Sequence, residues 1–159
     1  MRRLALLVAA AAAALVVAVV AIAAASGGDR SLRSTLAPSV PTDPMFHGVQ
    51  PGGLPWVLSR GSVTLSSEGR LDLTVKGLVI PTFGTPGPVT SISASLFCGA
   101  DTNMTPAAVT GTEPLSSAGD GSISQRVTLP ADCLAPIVLV NPNGIQSLYI
   151  AVTGWKTAA

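Results

Sequence analysis

The stretch RGSVTLSSEGRLDLTVK, residues 60–76, decides the fold. Val63 and Leu65 share one parity, with Val57 before them, while Arg60, Ser62 and Thr64 take the other. Ser66-Ser67-Glu68-Gly69 carries turn chemistry. Leu71, Leu73 and Val75 then alternate with Asp72, Thr74 and Lys76. Side chains of a strand point alternately to opposite faces, so this pattern predicts a hairpin with one buried face. After Gly77 the alternation lapses at Leu78-Val79-Ile80, and the glycine predicts a bulge there.

The same period extends outward toward the C-terminus. Thr90, Ile92, Ala94, Leu96 and Cys98 predict an inner face, with Ser91, Ser93 and Ser95 on the outer one. A short strand is expected near Ala108–Thr112. Ile123, Val127 and Leu129 alternate with Ser122, Ser124, Arg126 and Thr128. Gln125 breaks that parity and must find a partner or lie at an edge. Ile137–Val140 is an unbroken apolar run, which predicts a strand covered on both faces. Asn141-Pro142-Asn143-Gly144 is a turn, with Gly144 suited to positive φ. Leu148, Ile150 and Val152 predict the inner face of the last strand. About seven or eight short strands with no helical period point to an all-β, antiparallel two-layer sandwich of immunoglobulin-like type. A small closed barrel is the alternative.

Toward the N-terminus the character changes. Arg2 and Arg3 precede Leu4–Ala25, which is 22 residues of Ala, Leu, Val and Ile without a charge, Pro or Gly. This predicts one N-terminal hydrophobic helix, either a signal peptide cleaved before Ser26 or a membrane anchor. As a helix the run reaches roughly 33 Å, enough for the ~30 Å hydrocarbon core of a bilayer. Both readings place the rest of the chain outside the cytoplasm, secreted or facing outward from the membrane. Residues 26–53 are rich in Pro, Ser and Gly and predict a linker; Pro38, Pro41, Pro44 and Pro51 argue against helix and central strand. The resulting division is 1–25 signal peptide or anchor, 26–53 linker and 54–157 β-sandwich domain.

Charge is sparse. Charged residues make up 11% of the 159 residues and the formal net charge is +1, so no footprint for nucleic acid exists. Without residues 1–25, seven basic face eight acidic residues, a net of −1, which argues against electrostatic steering. One His and two Cys exclude a metal cluster built from several such ligands, and neither a metal nor a cofactor is expected. Cys98 and Cys133 are expected to pair, since two cysteines in an exported domain most simply form a disulfide.

Three chemistries compete for the remaining residues. His47 is the sole imidazole, and Asp43 lies near it in sequence, but no G-x-S-x-G elbow exists. His47 is therefore expected to be exposed or lightly packed. The acids Asp101, Asp120 and Asp132 fall in turn sequences, which explains them without catalysis. Trp56, Tyr149 and Trp155 are the aromatics available to stack on a sugar or polymer; closing the ends of the sandwich is the competing role.

LPWVLSRGSVTLSSEGRLDLTVKGLVIP, GTPGPVTSISASLFCG, VTLPADCLAP and VLVNPNG together resemble a group of exported bacterial β-sandwich proteins with no assigned activity. The resemblance spans about residues 53–154 and implies no reaction. The hairpin GSVTLSSEGRLDLTVKGL also resembles the chordin-type (CHRD) β-domain, without that family's His-rich strand. The sequence therefore predicts a non-enzymatic, exported cell-envelope or secreted module with a structural or binding role. A carbohydrate- or polymer-binding module using the aromatics is the second reading, and a hydrolase using His47 the third. Expected partners are the membrane, through residues 4–25 if uncleaved, and a cell-envelope polymer or protein.

Overall fold

The computed structural model describes residues 32–156. The hydrophobic N-terminal run, and the part of the linker before Leu32, lie outside the described residues. The described chain is all-β. Its strands are β1 (Leu32–Pro38), β2 (Gln50–Pro51), β3 (Arg60–Leu65), β4 (Arg70–Lys76), β5 (Ser91–Phe97) and β6 (Ala108–Val109). They continue with β7 (Glu113–Pro114), β8 (Gly121–Arg126), β9 (Ile137–Pro142), β10 (Leu148–Tyr149) and β11 (Ala151–Thr153).

Eight strands form one antiparallel path in the order β6-β5-β9-β11-β1-β3-β4-β8, and β7 pairs with β5 beside it. The deciding hairpin forms as predicted: Arg60 pairs with Lys76 and Leu65 with Leu71. The path curls. Leu115 bridges to Gly121, so the turn from β7 brings β8 toward β5. Gln125 stitches this seam, accepting from the Gly111 N–H at 2.8 Å and donating to Glu113 Oε1 at 2.8 Å. The residue that broke parity thus finds its partners at the edge strand.

Two apolar clusters hold the curl together. Val63, Leu65, Leu71, Leu73, Val75 and Ile123 from one half meet Ile92, Ala94, Leu96, Val138 and Val140 from the other. A second cluster on the far face of β5, β9 and β11 contains Ala37, Val49, Phe97, Leu139, Tyr149 and Val152. Val138 and Leu139 therefore enter different clusters, and β9 is covered on both faces, as its unbroken apolar run requires.

Three expectations need correction. The composition of residues 26–53 predicts a linker, but β1 lies inside that range and forms a central strand between β11 and β3. Pro38 is tolerated because it is the last residue of that strand. Residues 39–52 then cover the second face: the Ser39 hydroxyl donates to Tyr149 O, and Gly52 N–H bonds the same carbonyl. Second, Ser93 and Ser95 are buried rather than outward in water, because that face is covered; Ser95 Oγ donates to Asn141 Oδ1 at 2.7 Å. Third, the last strand breaks at Ile150, whose N–H turns to Val140 O. Tyr149 and Val152 consequently share a cluster, and Ile150 and Ala151 share the other.

The pairings define two ends. Leu32 pairs with Leu65, Leu65 with Leu71 and Leu71 with Gln125. Phe97 pairs with Ile137, and β11 runs antiparallel to β1, so its C-terminus points the same way as the start of β1. These positions form the proximal end, where the chain enters the domain at Leu32. Asn143, Gly144 and Asp120 lie at the distal end.

Candidate functional site

The proximal end gathers most of the residues singled out in the sequence. Cys98 follows β5 and Cys133 precedes β9, and they form a disulfide with Cα atoms 5.0 Å apart. Because Phe97 pairs with Ile137, the two cysteines are held just beyond one strand pair. The Gly99 N–H bonds Leu134 O at 2.7 Å, which ties the flanking loops together.

His47 sits at the same end, on the covered face. Phe46 and Val49 exchange backbone hydrogen bonds of 3.1 and 2.8 Å, making a tight turn in which His47 and Gly48 have φ of 52° and 77°. Two successive positive φ values match a type I′ hairpin turn. The His47 ring stacks on Phe97 at 4.7 Å, and Nδ1–H donates to Asn103 O at 2.8 Å. A carbonyl only accepts, so Nδ1 carries the proton. The His47 N–H also donates to Asp101 Oδ1. His47 is therefore 5% exposed, which corrects the expectation of an exposed or lightly packed ring.

Asp43 does not serve that ring. Its carboxylate accepts from the Val40 N–H at 2.8 Å and binds Lys156 Nζ at 2.5 Å. The other acids are similarly engaged. Asp120 accepts from the Gly77 N–H and from Lys76, which lowers its pKa below the ordinary carboxylate value. Asp72 accepts from Ser124 and Arg70 and is lowered as well. Glu113 pairs with Gln125. Among the described residues no three His, Cys, Asp or Glu side chains are grouped as a metal site.

The three candidate aromatics separate. Trp56 is buried in the first cluster and Tyr149 in the second, so the structure corrects their reading as surface binding residues. Burial raises the Tyr149 phenol to about 12, with the Asp43 carboxylate adding to the rise. Trp155 alone projects, 83% exposed. It follows Gly154, whose N–H bonds Thr35 O, so it leaves the domain at the proximal end.

The same end also carries a groove of about 650 Å³, lined by Leu32, Leu65, Leu129, Pro130, Cys133 and Leu134 among others. Leu134 is 77% exposed at its rim. Sequence reasoning missed this groove because its walls come from three separate segments, at Leu32, 65–67 and 129–136. The cysteine pairing was the one available signal, since it places the segment 129–134 next to the end of β5.

No family model matches the chain, and no curated protein or solved structure matches it either.

Proposed function

We propose that this chain is an exported, non-enzymatic module with a structural or binding role at the cell envelope. The carrying observation is the Cys98–Cys133 disulfide, which persists in oxidising compartments and is rare in the cytosol. The uncharged run 4–25 behind two arginines supports the same destination. The non-enzymatic reading rests on how the reactive groups are used: His47 packs against Phe97 and holds the 101–103 loop, and Asp43 binds Lys156. The finer fold reading is a two-layer, immunoglobulin-like sandwich. Its support is the change of partner within β1, from β3 at Leu32–Thr35 to β11 at Leu36–Pro38. The resemblance to exported β-domains agrees with this reading and adds no activity.

A C-terminal reporter fusion tests it. Delivery of the reporter outside the cytoplasmic membrane is expected. N-terminal sequencing then separates a cleaved signal, beginning near Ser26, from an anchor that retains residues 1–25. A reporter active only in the cytosol overturns the proposal. Polymer binding remains a second reading through Trp155, on the strength of its exposure.

A further inference from the structure

We infer that the proximal end of the domain faces and touches the lipid surface, with Trp155 and Leu134 as its contact side chains. This rests on the anchored form of the reading above, in which residues 4–25 remain in the membrane.

Six residues, 26–31, separate the last residue of the apolar run from Leu32. Covalent geometry limits such a segment to roughly 20 Å. β1 begins at the proximal end, so that end is the one held near the membrane. Among bodies outside the domain, the bilayer is the one that the chain itself places within reach.

Trp155, Leu134 and Met104 are 83%, 77% and 70% exposed, and no other exposed large apolar side chain of the described residues exceeds 56%. All three leave from this end. Trp155 follows β11 beside Thr35, and Leu134 follows the bridged Cys133. Met104 follows Asn103, whose side chain donates to Cys98 O. The groove between Leu32, Leu65 and Leu129 continues the apolar surface inward. Side chains of this kind have no reason to cluster at one end in water, and Trp in particular suits the boundary between headgroups and acyl chains.

Arg70 pairs with Asp72, Arg126 with Glu68 and Lys156 with Asp43. Among the described residues at this end, the exposed Arg33 and Asp132 join none of these ion pairs and offset each other in charge, so the contact is mainly apolar and depends only weakly on anionic lipid or salt. A short tether raises the effective concentration to the millimolar range, which lets even a small apolar patch stay engaged.

The test uses the full chain in phosphatidylcholine vesicles whose acyl chains carry bromine near the headgroup. Trp56 is buried, so Trp155 reports. A contact occupied more than half the time quenches Trp155 roughly twofold and shields it from aqueous iodide. Trp155→Phe should abolish the quenching, and Leu134→Asp should reduce it without changing the urea midpoint, because Leu134 is exposed. Adding phosphatidylglycerol or about 0.5 M salt should change it only slightly. If the chain fails to sediment with the vesicles, anchoring fails and the orientation falls with it. If it sediments but Trp155 stays bright and open to iodide, anchoring stands and the orientation is overturned; that end would then be open to a protein partner.

Discussion

The Tyr149 hydroxyl donates a 2.7 Å hydrogen bond to the carbonyl of Pro44, 105 residues earlier in the chain. It pins the Pro-rich segment over the far face of β9 and β11, where the ring also meets Phe46 at 5.6 Å. Tyr149→Phe keeps the packing and removes the bond, which should cost about 1 kcal/mol in urea unfolding. The phenol also predicts an alkaline limb. Its folded pKa is raised to about 12 from 10.0, so the folded state favours the neutral form. That stability is present below pH 10 and is lost as pH rises toward 12. Unfolding free energy measured from pH 8 upward should fall in this window for the native chain, and the fall should be smaller for Tyr149→Phe.

The disulfide closes a separation of 35 residues. Chain entropy assigns such a loop about 4 kcal/mol, a large part of a small domain's stability. The double substitution Cys98→Ser and Cys133→Ser should lower the urea midpoint accordingly, and reductant should lower the native chain to the same level. Equal midpoints with and without reductant would refute the assignment.

Gly119 has φ of 77°, and a Cβ there would lie 2.4 Å from Leu78 O and 2.5 Å from Leu78 N. The approach lets Leu78 N–H bond Gly119 O at 2.9 Å. Gly119→Ala should therefore destabilise by about 3 kcal/mol or more, since backbone rather than a flexible side chain must move. Gly84 has φ of 65° but open space around it, so Gly84→Ala should cost only about 1–2 kcal/mol. Thermal melts of the two variants side by side provide the comparison.

Asp120 is held below the ordinary carboxylate pKa, first by the Gly77 N–H and then by Lys76. A lowered folded pKa contributes stability that is present above the unfolded value near 4 and lost as pH falls through the folded value. Stability should be level near neutrality and decline in acid. Asp120→Asn should flatten part of that decline, read from urea midpoints between about pH 2 and pH 6.

Much of the architecture was legible in residue order alone. Alternation at Val63, Leu65, Leu71, Leu73 and Val75 placed those side chains on one face, and they do enter one cluster. The even cysteine count and the expected export paired Cys98 with Cys133, and the two are bonded. The run Ile137–Val140 announced burial on both faces, which β9 has. These are local consequences of the two-residue period of a strand and of side-chain polarity, so one segment suffices to read them.

Only the tertiary structure decided what covers the other face. Ser93 and Ser95 look solvent-facing because they are polar, yet a remote segment buries them, and Asn141 satisfies Ser95. Residues 39–52 show no period because they cover a sheet instead of extending it. Prolines that argue against a central strand are compatible with such a role, and Pro38 ends β1 without interrupting it. His47, Trp56 and Tyr149 became interior residues through partners such as Phe97, Ser39 and Pro44, distant in sequence. Residue order sets which side of a strand each side chain occupies. Whether that side meets water depends on segments brought over it by folding, and no local period encodes that.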